Sequence, residues 1–246
     1  MSAAETQARR VLVTGGGSGI GREVARDFAA SGDAVTICGR NAAALAETDG
    51  GRGMTIRTCD VTDETQVAAL FETPFDVVVA NAGLGTFAKI GATTLEMWNQ
   101  TLAVTLTGVF LTFREALRGM GPGGRLIAIG STASLKGGAP VPAYAAAKHG
   151  VLGLVRSVAQ DVAQKGITCN AVCPGFVATP MADKAAEGLM ARFDVPREKA
   201  EAMLYGSNPV GRMITVEEVS AAVLYLASPG AAMVNGHALA LSGGEI

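Results

Sequence analysis

A chain of 246 residues, 49% apolar with 32 glycines and only 17% charged, is long enough and apolar enough to bury a sizeable core. Its net charge of −2 gives no basis for a nucleic-acid partner, and the apolar content excludes a disordered chain. No run approaches the roughly 18 uninterrupted apolar residues of a membrane span, and the N-terminal MSAAETQARR lacks an apolar leader core, so a cytoplasmic protein is expected.

In chain order, RVLVT (10–14) predicts a strand that breaks into GGGSGIG (15–21). The next residues place Ile20, Val24, Phe28 and Ala29 at helical spacing and stop at Gly32. AVTIC (34–38) predicts a second strand, and Asn41 opens a helix that ends before Gly50. MTIRTC (54–59) is a third strand ending at Asp60, followed by a helix with Thr62 as its expected N-cap. FDVVVA (75–80) is a continuous apolar run, as a strand buried on both faces requires. A long helix over 94–119, a strand over 124–130, a helix over 142–164 and a strand over 167–173 follow. Residues 181–205 form a polar helical stretch, 215–228 a helix capped by Thr215, and 237–241 a last strand.

Strands alternating with helices imply one doubly wound α/β domain over 1–246, with a parallel sheet of about seven strands and right-handed crossovers. In such sheets ligands bind beyond the carboxyl ends of the strands. That rim gathers Gly15–Gly21, Arg40, Asp60, Asn81, Ser131 and the stretch from Pro174 to Thr179.

Three features there carry chemistry. TGGGSGIG (14–21), after a strand and before a helix, lets backbone amides approach a pyrophosphate at a helix N-terminus. An acidic residue ending the second strand would bind the ribose hydroxyl of NAD; here Gly39 and Arg40 stand there, which favours NADP(H) over NAD(H). Tyr144 and Lys148 lie one helical turn apart, so the ammonium favours the phenolate. Bringing a phenol from about 10 to near 7 takes roughly 4 kcal/mol, a task for Lys148 and a second positive charge together. The cysteines (Cys38, Cys59, Cys169, Cys173) are expected as buried reduced thiols, and the CxxxC spacing of the last two has no matching Cys/His pair to make a metal site. With only His149 and His237, a histidine-based mechanism has little material.

The Gly-rich turn, Asn81-Ala82-Gly83, Ser131, Tyr144 and Lys148 separated by three alanines, and Pro174-Gly175 occur in this order, with twelve residues between Ser131 and Tyr144. The set resembles the short-chain dehydrogenase/reductase superfamily over nearly all of residues 10–244, which implies a Rossmann-type fold. The resemblance implies that Ser131 bonds the substrate oxygen, Tyr144 exchanges its proton, and Lys148 binds the nicotinamide ribose and acidifies Tyr144. It further implies cofactor contacts from Gly15, Ser18, Gly19, Ile20 and Gly21, from Arg40, Asp60 and Val61, and from Asn81, Ala82 and Gly83. Tyr144, Lys148, Pro174, Gly175, Val177 and Thr179 complete that set. Two positions depart from the family pattern: Ala80 precedes Asn81 where relatives carry a second Asn, and Thr105 stands where many carry an Asn that places a relay water. A threonine offers one oxygen where asparagine offers an amide, so Thr105 enters the catalytic set only as a candidate.

In the superfamily the segment after Pro174-Gly175 covers the substrate, here residues 181–213. Its Met181, Leu189, Met190, Phe193, Met203 and Leu204 either line a pocket or form ordinary helix faces. Its mixed charges show no phosphate patch. The resemblance points to 3-oxoacyl or 3-hydroxyacyl substrates, then to cyclic, aromatic or sugar alcohols. A non-catalytic NADP sensor is the reading from another class. The partners implied are a small carbonyl or alcohol substrate and identical subunits, as a homotetramer or homodimer paired through the long helices and the last strand.

Overall fold

The computed structural model describes residues 8–246. Seven parallel strands form one sheet: β1 (Arg10–Thr14), β2 (Ala34–Gly39), β3 (Thr55–Thr58), β4 (Val77–Ala80), β5 (Arg125–Ile129), β6 (Thr168–Pro174) and β7 (Ala238–Leu241). Their order across the sheet is β3-β2-β1-β4-β5-β6-β7, with register fixed by pairs such as Val11↔Val35 and Val11↔Val77. The chain winds one way from β1 to β3 and the other way from β4, so the reversal opens a crevice between the ends of β1 and β4.

Strand alternation builds two cores. Val11, Val13, Val77, Val79 and Ile127 face one side, against α1 (Gly19–Ala30), α2 (Ala42–Asp49) and α9 (Val216–Ala227). Leu12, Val78, Leu126 and Ala128 face the other, against α3 (Glu64–Leu70), α5 (Gly108–Ala116) and α6 (Pro142–Val162). Fully buried side chains such as Phe28, Phe113 and Leu126 each stabilise by about 2–3 kcal/mol relative to exposure.

Several boundaries differ from expectation, each for a physical reason. Asp63 caps α3 instead of Thr62, because its carboxylate accepts from Thr65 and Gln66 amides while Thr62 donates to Asp60. The predicted helix over 94–119 is α4 (Leu95–Leu102), a π turn over Ala103–Thr107, then α5. Directly after the π turn, Gly108 lies against Val61, where a Cβ would stand 2.8 Å from the valine Cγ2. Strand β6 runs through Pro174, which keeps its register opposite Leu241 because only the N–H is missing. The stretch 181–205 is two helices, α7 (Pro180–Phe193) and α8 (Arg197–Tyr205). Leu189, Met190 and Leu204 pack in a small core between them, while Phe193 and Met203 are exposed. Of the six large apolar residues named above for that segment, Met181 faces the crevice. No helix among the described residues is long and apolar enough to cross a membrane.

Candidate active site

The carboxyl ends of the strands open into a cavity of about 590 Å³. Gly15, Ser18, Gly19, Ile20, Arg40, Asp60, Val61 and Asn81-Ala82-Gly83 line it, as do Ser131, Tyr144, Lys148, Pro174, Gly175, Val177 and Thr179. Gly21 and Thr105 lie behind its wall.

The Gly-rich turn is shaped by exclusion of side chains. Gly15 and Gly19 have φ of 66° and 51°, and a Cβ on Gly15 would stand 2.9 Å from Ala82 Cα. On Gly21 it would reach 2.4 Å from Gly15 O, so Gly21 lets the start of α1 pack against the turn. Ser18 caps α1 without a side-chain hydrogen bond to the helix, which leaves the first-turn amides without a capping side chain. These features fit a dinucleotide pyrophosphate: bare backbone, helix-end amides and no Cβ in the way. The turn is stitched to β4 through Thr14, whose buried hydroxyl accepts from Asn81 N (3.0 Å) and Ala82 N (3.1 Å). Asn81 Nδ2 donates back to Thr14 O at 3.0 Å. Thr14 ends the predicted strand, where β-branching alone explains its presence, so its bonding role is invisible until β4 is placed beside it.

At the far end, Arg40 is exposed beside Asp60. The Thr62 amide and hydroxyl hold the Asp60 carboxyl below its ordinary value against burial, and the Arg40 charge adds to that.

Ser131 lies two residues beyond β5 and opens a short 3₁₀ turn: its Oγ accepts from Ala133 N, and Ser134 Oγ accepts from Ser131 N. Pro142 at the first turn of α6 then brings Tyr144 into the cavity. Lys148 is 4% exposed; its Nζ donates to Ile129 O at 2.6 Å and lies 5.6 Å from the Tyr144 ring centre. Burial lowers the lysine to about 8. Burial also raises the Tyr144 phenol, with a Ser131 hydrogen bond opposing it. The acidic phenol expected from the Tyr/Lys pair is therefore not a property of the chain by itself. Desolvation of the phenol is the largest effect on it, ahead of the Ser131 hydrogen bond. Cys173 packs beneath this cluster, close enough that a Cβ on Gly130 would fall 2.7 Å from its sulfur.

Thr105 sits in the π turn, fully buried. Its hydroxyl accepts from Leu84 N (3.1 Å) and donates to Leu84 O (3.4 Å). Its donor and one acceptor lone pair are committed to backbone, so the hydroxyl holds the chain after Gly83 in place.

Phe87, Val141, Phe176 and Met181 form the apolar end of the cavity, bounded by Lys136 and Glu245. Burial raises the Glu245 carboxyl, but hydrogen bonds from Lys136 and Ser207 outweigh it and hold it below its ordinary value. These two residues are 109 positions apart and carry no local pattern, so only the folded chain reveals them.

This seven-stranded sheet, with its glycine turn and its serine, tyrosine and lysine on one rim, is that of a nicotinamide-type oxidoreductase. A family model described as enoyl-(acyl carrier protein) reductase matches residues 15–245. The chain is 38% identical over 248 residues to a putative ketoacyl reductase of Streptomyces coelicolor, covering 95% of each protein. It is 33% identical over 252 residues to D-beta-hydroxybutyrate dehydrogenase of Cupriavidus necator, covering 97% of this chain and 98% of the relative. Among solved structures, a variant of actinorhodin polyketide ketoreductase with NADPH superposes with a TM-score of 0.91 at 35% identity, over 99% of both chains. The protein belongs to the short-chain dehydrogenase/reductase superfamily. It is an oxidoreductase acting on CH–OH groups.

Proposed function

We propose that the protein interconverts a ketone and a secondary alcohol, with NADP(H) preferred and a 3-oxoacyl or 3-hydroxyacyl compound as substrate. The observation that carries this reading is the convergence of Ser131, Tyr144 and Lys148 beside the glycine turn in one cavity. The chemistry a bound nicotinamide supplies is hydride at carbon and, once spent, a positively charged ring. The glycine turn and Ser18 would hold its pyrophosphate, Arg40 and Asp60 its adenosine end, and Lys148, Val177 and Thr179 its nicotinamide end.

Hydride addition to a carbonyl builds negative charge on oxygen, which needs a donor aimed at it and a proton close by. Ser131 donates to that oxygen, and Tyr144 delivers the proton. A phenol raised by burial keeps its proton at neutral pH, so the resting chain is set as the acid for carbonyl reduction. Alcohol oxidation needs the phenolate, and that requires positive charge beyond Lys148. Residues 181–213 serve as the substrate cover, through Met181. The substrate class is supported by the apolar end of the cavity and by relatives named for ketoacyl and hydroxybutyrate chemistry.

An NADPH-oxidation screen against acetoacetyl-CoA, simple ketones, cyclic ketones and quinones tests this, with NADH run in parallel. NADPH is expected to be favoured at least tenfold, and Arg40→Ala to erase that margin; a hundredfold preference for NADH would sink the cofactor assignment. A cyclic ketone reduced far better than acetoacetyl-CoA would shift the substrate to the cyclic-alcohol class.

We also propose a homotetramer or homodimer. Phe110 on α5 and Tyr225 on α9 are large side chains exposed on helix faces, and edge strand β7 has no outer neighbour among the described residues. Light scattering is expected to give two or four subunits per particle, and a monomer at micromolar concentration overturns the assignment.

A further inference from the structure

The apolar end of the cavity is bounded by a cation and an anion that face each other. Lys136 Nζ donates to Glu245 Oε1 at 2.5 Å, and Ser207 Oγ donates to the same oxygen at 2.5 Å. The lysine side chain is 41% exposed and the glutamate 12%, so the carboxylate is the more enclosed partner. Both bonds fall on Oε1. The second oxygen, Oε2, has no donor among the described residues and lies toward Gly175, 3.4 Å from where a Cβ there would stand. The Thr132 methyl is 3.8 Å from that same point, and Thr132 directly follows Ser131. A carboxylate oxygen without a donor therefore borders the substrate end, beside the turn that presents Ser131.

We propose that Glu245 is a specificity-determining residue that neutralises Lys136 and turns the site against free carboxylates, selecting a 3-oxoacyl group masked as a neutral thioester or ester over the free 3-oxo acid. This rests on the ketone-reducing reading above. Without Glu245, Lys136 would be an unpaired cation at the apolar end and would attract a substrate carboxylate. With it, the positive charge is already spent, and an incoming carboxylate meets a fixed anion that repels it. A thioester or ester carries no charge to repel, and Phe87, Phe176 and Met181 suit its apolar chain. The balanced charges along 181–213 supply no replacement cation patch.

The test compares acetoacetate with ethyl acetoacetate, which present the same ketone with and without the carboxylate. With the full-length protein and NADPH, kcat/KM for the ester is expected to exceed that for acetoacetate at least tenfold, or about 1.4 kcal/mol. Glu245→Gln keeps the size, removes the charge and frees Lys136, so the acetoacetate-to-ester ratio should rise about tenfold. Adding Lys136→Met to that variant should return the ratio toward wild type. Wild-type protein reducing both equally, or a ratio unchanged within twofold in Glu245→Gln, overturns the proposal. The same pair is titrated by calorimetry onto wild-type protein saturated with NADP⁺, which has no hydride to give the ketone, so the measurement needs neither turnover nor a folded variant. Tighter binding of the ester with neither compound reduced would refute the reaction and support the charge selection. Equal binding of both refutes the selection.

Discussion

Tyr144→Phe is expected to lower kcat for ketone reduction about a thousandfold while NADPH still binds within about threefold of wild type. Of the two hydroxyls that Ser131 and Tyr144 present at the cavity surface, the phenol is by far the stronger acid, while the Lys148 ammonium is engaged with Ile129 O. Losing a positioned general acid costs 10²–10⁴ in rate, and here the substituted ring keeps its shape. The loss should fall on kcat at saturating substrate, because Ser131 still donates to the carbonyl in the ground state. Stability should change by less than 1 kcal/mol, as the phenol lies at the cavity surface and gives up one hydrogen bond. Turnover and NADPH fluorescence titration on the same preparation decide it. Full turnover with intact binding would remove Tyr144 from the chemistry, and a non-catalytic cofactor sensor would then be the better reading.

The parts legible in the sequence are those encoded locally. A strand, a glycine turn and a helix follow one another over residues 10–30, and Tyr144 and Lys148 need only helical spacing to share a face. The sheet and its reversal follow from strand and helix alternation with short connections. What was not legible depends on contacts between distant segments. Gly108, directly after the π turn at 103–107, lies too close to Val61 for a side chain, and the Thr105 hydroxyl is claimed by Leu84 on another segment. Leu189, Met190 and Leu204 carry the same apolar pattern whether they line a pocket or close a helix pair, and they close the pair. The sign of the Tyr144 shift also needed the fold, because a neighbouring charge is readable from spacing and burial is not.

Lys148→Met should nearly abolish turnover, by at least a hundredfold, and yet raise the thermal stability of the cofactor-free protein at pH 7. The lysine is buried, and its value falls from 10.5 to about 8 because desolvation penalises the ammonium. At about 1.36 kcal/mol per unit, that shift costs the folded state roughly 3 kcal/mol when the lysine is charged. Between pH 8 and 10.5 the unfolded chain binds more protons at this site, so wild-type stability rises with pH across that window. The penalty is fully present below pH 8 and gone above 10.5. Against it stands the 2.6 Å bond to Ile129 O, whose loss leaves a buried carbonyl unpaired at about 1–2 kcal/mol. The net gain for methionine at pH 7 is about 1–2 kcal/mol, a rise in Tm of roughly 2–8 °C for a chain of this size. At pH 10.5 the sign reverses, because only the lost hydrogen bond remains. Calorimetric scans of both proteins at pH 7 and 10.5 should therefore cross, and a methionine variant less stable at both would show that the buried ammonium is not strained. In the proposed mechanism that cation has a use despite its cost to the resting fold, because Tyr144 needs positive charge near it once its proton has left.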